Sequence, residues 1–239
     1  EHGQRDVRRT LTKPSGTTRI ILLGDSVVAG MRLPDLDLTI SRQWERLASS
    51  DRLEVLNFGV SGYNTLAEVE LLAVKGITFD PDYVVVVFTR NDFDNFNRQA
   101  FQLTLERERP WLARWLFRHS DAARILCLRL DLFHWGKEWQ PAEFNRRAMG
   151  DNNVTEGLRR LAELSRRHGF QAVIAIWPEF ADDGILDVCP MPDDPDELIV
   201  ESVARGFGLA TFRLSEWFRR DHRNQPPNAS PRVRYTIGD

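Results

Sequence analysis

The 239-residue sequence predicts an α/β fold, a three-layer α/β/α sandwich around a parallel five-stranded sheet, as one domain over residues 1–239. Three observations predict it. Short apolar runs alternate along the chain with helical patterns, as strands joined by helical crossovers do. The clearest run, Tyr83-Val-Val-Val-Val-Phe88, is β-branched and apolar throughout, which fits a central parallel strand buried on both faces. The first three runs also lead into loops rich in Gly, Asn, Asp and Ser, the residues that turn a chain sharply.

Taken in order, residues 1–18 are polar, carry Pro14 and Gly16, and read as an extended leader. Arg19-Ile-Ile-Leu-Leu23 is the first strand, closed by Gly24, with a helix opening at Ser26. A helical stretch over 41–48 sets Trp44 and Leu47 on one face. Leu53 to Asn57 is the second strand, and a loop through Gly62 leads to a helix over 65–75 that Gly76 terminates. Residues 101–150 then interrupt the alternation: no strand pattern is visible there, and the segment holds Trp111, Trp115, Trp135 and Trp139. Pro110 and Ser120 are helix-start signals, so this part reads as an insertion of two helices. Its aromatics are expected to pack onto the sheet; the alternative is a cap over the site or a surface touching membrane or acyl chains. Residues 152–168 form an amphipathic helix with Val154, Leu158, Leu161, Ala162 and Ser165 on one face, ended by Gly169. Gln171 to Trp177 is the fourth strand, residues 197–207 a further helix, and Leu209 to Phe212 the fifth strand.

Composition narrows the function classes. A net charge of −3 gives no electrostatic reason to expect nucleic acid as a partner. Only three of the 32 basic residues are lysine, a skew attributed to base composition rather than to a binding surface. Cys127 and Cys189 alone make neither a zinc site nor a disulfide framework. The longest apolar runs fall far short of the roughly 20 residues that span a bilayer, so no membrane span is expected in the chain. No signal peptide pattern is present. The chain opens on Glu1 rather than methionine and is expected to be an incomplete form. No P-loop, dinucleotide fingerprint or zinc pattern occurs, and the acidic, proline-bearing stretch 179–197 reads as a solvated loop rather than a metal site. No cofactor is implied.

The strand ends carry the chemistry. In an open α/β sheet ligands bind beyond the carboxyl ends of the strands. Strand one ends in Gly24-Asp25-Ser26, strand two leads to Asn57-Phe-Gly59-Val-Ser61-Gly62-Tyr63-Asn64, and strand three leads to Thr89-Arg90-Asn91-Asp92. Sequence-distant loops meet at one edge of such a sheet, which sets a serine hydroxyl, a glycine backbone and an asparagine amide near one another. Acyl transfer uses this kind of set. A serine hydroxyl is a weak nucleophile that needs a base and donors for the developing oxyanion. Ser26 stands where a helix begins, Gly62 allows close backbone approach, and the Asn91 amide can donate. Asp92 is expected to hold its loop by accepting backbone N–H groups. Gly59-Val-Ser61-Gly62-Tyr63 lacks the second glycine of a G-x-S-x-G elbow, so an ordinary α/β-hydrolase reading fails.

In order and spacing these three segments resemble the first three blocks of the SGNH (GDSL-like) hydrolases. The resemblance implies a flavodoxin-like strand order and serine esterase activity. Ser26 would be the nucleophile, with the Ser26 N–H, the Gly62 N–H and the Asn91 side chain as oxyanion donors. Two departures stand out. That family usually carries glycine where Thr89 stands, and its last block, Asp-x-x-His, supplies the base. The chain closes on Tyr235-Thr-Ile-Gly-Asp239, so Asp239 looks like the orienting acid and the histidine would fall three residues later. None of His2, His119, His134, His168 and His222 has that spacing. The implied substrate is a small or carbohydrate-linked acyl ester, and relatives of this kind lean toward an extracytoplasmic setting. The rivals are a non-catalytic binding or scaffold protein of the same fold, and a phosphate-binding domain using the Gly24–Ser26 turn.

Overall fold

The computed structural model describes residues 4–94, 109–130, 132, 153–178 and 195–224. Five strands, β1 (Thr18–Gly24), β2 (Leu53–Gly59), β3 (Tyr83–Phe88), β4 (Gln171–Ile176) and β5 (Ala210–Arg213), form one sheet. All pair in parallel in the order β2-β1-β3-β4-β5. This is the flavodoxin-like order, with the crossovers reversing direction between β1 and β3. Gly24 pairs with Gly59 and Leu23 with Val86. The ends of the first three strands therefore finish level, and the loops that follow them share one edge of the sheet.

Eight helices are described: α1 (Ser26–Ala29), α2 (Ile40–Ala48), α3 (Thr65–Val74), α4 (Trp111–His119), α5 (Asp121–Arg129), α6 (Asn153–His168), α7 (Pro195–Gly206) and α8 (Leu214–Arg223). The two-residue period of β1 sorts them into layers. Ile21 and Leu23 point to one face, where they join Val69 and Leu72 of α3, Leu158 and Leu161 of α6, and Val200 of α7. Ile20 and Leu22 point to the other, against Val28 of α1, Trp44 of α2 and Leu214 of α8. On α6, the stripe predicted from sequence is the buried one through Val154, Leu158, Leu161 and Ala162, while Arg166 and Arg167 are exposed. Gly157 lets α6 close onto α3, because a Cβ there would stand 3.0 Å from the Leu66 nitrogen.

Helix α8 was not foreseen. Its dense charge masks a stripe that meets the sheet, where Phe218 sets its ring edge-on to Trp177 at 5.5 Å between centroids. In the 101–150 segment, α4 begins after Pro110 and α5 is capped by Ser120, whose hydroxyl accepts from the Ala123 N–H. The expected packing of aromatics onto the sheet fails for Trp111 and Trp115, which are 71% and 55% exposed. The residues buried in this pair of helices are the small ones, Ala113 and Cys127. Trp135 and Trp139 lie outside the described residues. No helix among the described residues is long and apolar enough to cross a membrane.

The leader residues of 4–17 form no regular element but are tied down by side chains. Strand β2 is an edge strand, whose outward backbone groups need partners. Glu45 of α2 accepts from the Val55 N–H at 2.7 Å, Asp6 accepts from the Asn57 N–H at 3.1 Å, and Arg9 donates to the Val55 carbonyl at 3.3 Å. Arg19, read from sequence as the start of an apolar strand, is fully buried. Its guanidinium donates to Glu54 at 2.7 Å, to the Leu11 carbonyl at 3.0 Å and to the Phe79 carbonyl at 2.6 Å. One side chain thus fastens the leader, β2 and the turn before β3 to β1. Arg19→Met keeps the volume and removes every donor, leaving two carbonyls and a carboxylate to find new partners. It should cost about 2–4 kcal/mol, within the range for breaking buried charge-assisted contacts, read as a lowered urea midpoint at unchanged slope.

Candidate active site

Ser26 is the first residue of α1, at the mouth of β1. Asp25 caps that helix, its Oδ1 accepting from the Val27 N–H at 2.9 Å. Helix α1 is a single turn and stops at Gly30, which adopts a left-handed φ of 66°. Four residues make almost no macrodipole, so what Ser26 gains from this position is local: backbone N–H groups of a first turn that the helix itself leaves open. Among the described residues no side chain hydrogen-bonds the Ser26 hydroxyl.

What fixes α1 is an unusually close approach of β2. A Cβ on Gly59 would lie 2.2 Å from the Ala29 nitrogen, and one on Gly24 would lie 2.3 Å from a Val28 methyl. Neither position tolerates a side chain while the turn stays where it is. Asn57, fully buried, completes the junction: its Nδ2 donates to the Val28 carbonyl at 2.9 Å and its Oδ1 accepts from the Gly59 N–H at 2.9 Å. The Val60 N–H donates to the Gly24 carbonyl at 3.0 Å, tying the second loop to the first.

Gly62 sits exposed in that second loop at φ 79°, the left-handed region where glycine carries no Cβ penalty. The Tyr63 N–H returns to the Val60 carbonyl at 3.0 Å, and the Ser61 hydroxyl reaches the Met31 sulfur at 3.4 Å. Asn64 then caps α3 by accepting from the Ala67 N–H at 3.0 Å.

The third loop reaches the first through Asp25. The Asn91 Nδ2 donates to Asp25 Oδ2 at 2.6 Å, and the Thr89 hydroxyl lies 3.3 Å from the same oxygen and also hydrogen-bonds Asn91 Oδ1. Asp92 is fully buried and accepts the Thr89 N–H at 2.9 Å, the loop-holding role expected for it. Arg90, beside Asn91, faces Asp196 at the start of α7 at 3.6 Å. The structure therefore brings the Asn91 amide to the residue next to Ser26, and bonds the Gly62 loop to the end of β1. Asp239 lies outside the described residues.

Sequence reasoning missed a fourth contributor. Glu68 of α3 is fully buried, and neither of its oxygens has a hydrogen-bond partner among the described residues. Burial above all, then the charges of Asp92 and Asp25, push its carboxyl well above the usual range. It thus holds its proton more tightly than a free glutamate does, beneath the loops that carry Ser26 and Asn91. The signal that could have found it is its place on the inward stripe of α3, one turn before Leu72. Among the described residues no group of His, Cys, Asp and Glu could hold a metal ion.

A family model described as GDSL-like Lipase/Acylhydrolase family matches residues 22–226. Among curated proteins, no sequence matches this chain. Several solved structures resemble it in shape. The crystal structure of TesA is 16% identical over 81% of this chain and 77% of its own, with a TM-score of 0.42. AlinE4, an SGNH-hydrolase family esterase, is 16% identical over 83% and 76%, with a TM-score of 0.43. The acetyl xylan esterase AlAXEase is 14% identical over 89% and 85%, with a TM-score of 0.47. Likeness at that level assigns no role to any residue here.

Two outcomes test this geometry. Gly59→Ala should lower stability by about 2–3 kcal/mol, because the close-packed junction with α1 cannot absorb a methyl, with Gly206→Ala, where the added Cβ meets nothing and the backbone is likewise not left-handed, as the reference. Glu68 makes stability depend on pH. Its folded form keeps a proton that the unfolded chain gives up near the usual glutamate value, so stability falls as pH rises from there toward the raised folded value. In urea titrations across that window, Glu68→Gln, which cannot ionise, should show a visibly shallower decline. Parallel declines in the two proteins would contradict the assignment.

Proposed function

The chain belongs to the GDSL-like lipase/acylhydrolase family, and on that premise we propose that it is a serine ester hydrolase working through an acyl-enzyme on a small or carbohydrate-linked acyl ester. The observation that carries this reading is the 2.6 Å hydrogen bond from Asn91 to Asp25, which joins the third-strand loop to the turn that bears Ser26. A nucleophile and an oxyanion donor must share a reaction centre a few ångströms across, and this bond supports that sharing.

In the proposed sequence the Ser26 hydroxyl attacks the ester carbonyl and the carbonyl oxygen takes on negative charge. The Ser26 N–H, the Gly62 N–H and the free proton of Asn91 Nδ2 receive it. The alcohol leaves, protonated by the base that first took the serine proton, and water releases the acyl group by the same steps. The base is assigned to the histidine of an Asp-x-x-His block opening at Asp239, on the motif resemblance alone. Among the described histidines, His119 sets its ring tilted against Trp115 within α4, His168 ends α6 and His222 lies on α8, so none belongs to the loops that follow β1, β2 and β3. Glu68 and Asp92 take no proton from substrate; both are buried beneath the site.

The test uses a protein that extends at least three residues beyond Asp239. It should hydrolyse p-nitrophenyl acetate with a burst of p-nitrophenol stoichiometric with enzyme, the mark of an acyl-enzyme. Ser26→Ala should abolish turnover, and Asn91→Ala should lower kcat by roughly 100- to 1,000-fold, the usual cost of one oxyanion donor. Undiminished turnover in Ser26→Ala would end the assignment of the nucleophile. Absence of turnover in the extended protein would favour a non-catalytic binder of the same fold.

A further inference from the structure

We propose that Thr89 is a positioning residue that fixes the orientation of the Asn91 side-chain amide, so that one of its N–H groups faces the reacting centre before substrate arrives. The proposal rests on the reading of Asn91 as an oxyanion donor and adds to it a residue where the family resemblance expects glycine. Glycine has no hydroxyl, so this contact is a property of this chain and not of the motif.

The geometry settles which way the amide points. Asn91 Nδ2 lies 2.6 Å from Asp25 Oδ2, a distance suited to an N–H donating to a carboxylate. A reversed amide would press its carbonyl oxygen against that carboxylate. With nitrogen toward Asp25, the carbonyl oxygen of Asn91 is the atom that faces Thr89, and the Thr89 hydroxyl hydrogen-bonds it. That hydroxyl has one proton and two acceptors within reach, Asn91 Oδ1 and Asp25 Oδ2. The contact to Asn91 is the shorter, and Asp25 Oδ2 already receives the amide proton. The hydroxyl proton therefore goes to Asn91. Both ends of the amide are then held, and the second proton on Nδ2 is the one group left over.

Thr89 can hold this position because it is held itself. It is buried, it follows the last residue of β3, and its own N–H is engaged by the buried Asp92. Asn91, by contrast, is exposed on the turn that follows. Held at its nitrogen by Asp25 alone, an exposed amide can still swing about that one bond and must be ordered at the moment the oxyanion forms. A preorganised donor avoids that reorganisation. The competing explanation is that the hydroxyl merely satisfies itself as a buried polar group, which predicts an effect on stability and none on catalysis.

The experiment measures kcat, KM and melting temperature for Thr89→Ser, Thr89→Val, Asn91→Ala and the Thr89→Val/Asn91→Ala double variant, in the protein shown to be a Ser26-dependent esterase. Thr89→Ser keeps the hydroxyl and should retain kcat within about twofold, while Thr89→Val should lose about tenfold in kcat with KM within about twofold, the worth of one hydrogen bond expressed in the transition state. In the Asn91→Ala background the Thr89→Val change should cost nothing further, since the group it positions is gone. Should Thr89→Val fail to fold, Thr89→Ala is read by the same criteria. Full kcat in Thr89→Val, an equal loss in Thr89→Ser, or an additive loss in the double variant would each overturn the proposal. Full kcat in Asn91→Ala would instead overturn the oxyanion reading beneath it.

Discussion

Asp25 is the constraint on which the site depends. A carboxylate buried beside Ser26 is tolerable only when its oxygens are engaged by donors, because removing the charge from water costs several kcal/mol otherwise. The donors come from two loops far apart in sequence: the Val27 N–H from its own turn, and the Asn91 amide from the turn after β3. Satisfying one buried charge therefore closes the third loop onto the first. The parallel register does the rest, since β1 lies between β2 and β3 and its end is the natural meeting point for both neighbours.

The same burial explains the odd state of Glu68. Asp25 and Asp92 each have hydrogen-bond donors, so their charge is supported. Glu68 has none among the described residues, and a third negative charge in the same pocket of low dielectric would face repulsion with no compensation. Remaining protonated is the cheaper state. Environment sets Glu68 apart, since all three are ordinary acidic side chains by composition.

The sheet was legible because its information is local and periodic. Tyr83 to Phe88 and Gln171 to Ile176 announce buried parallel strands by uniform apolarity, and the glycine and asparagine punctuation after β1 and β2 marks where the chain turns. Ser26, Gly62 and Asn91 stand out as candidates for a related reason, since each follows a recognisable strand end. The contacts that hold them were not legible. Asn57 reads as the tail of a strand, yet its side chain is the clamp on α1. Gly59 reads as a turn residue, yet its reason is the 2.2 Å space its missing Cβ vacates against Ala29. Thr89 read only as a departure from the family's usual glycine, whereas its hydroxyl hydrogen-bonds Asn91 and approaches Asp25. Asn57 and Gly59 meet Val28 and Ala29, and Thr89 reaches Asp25, partners too far along the chain for a window on the sequence to contain; the bond from Thr89 to Asn91 is local but shows in no periodicity. Trp111 and Trp115 erred in the opposite direction: aromatic content suggested burial, and the packing chose Ala113 and Cys127 instead.

Rigidity and exposure divide along the same line. Gly62 and Asn91, the proposed oxyanion donors, are exposed, and both stand on loops. A loop donor can stabilise a transition state only if it is already in place when charge develops, because ordering it at that moment returns part of the gain. Each exposed residue is accordingly flanked by bonds to something buried or regular. The Gly62 loop is pinned at Val60 to the end of β1 and at Asn64 to the first turn of α3. The Asn91 turn is pinned at Thr89 by Asp92 and through its own amide by Asp25. The cost of exposure at two positions is met by burial at five: Asp25, Asn57, Glu68, Thr89 and Asp92. Substrate choice in such an arrangement can change at the rim with little effect on the fold, whereas a change in the buried row would move the donors themselves.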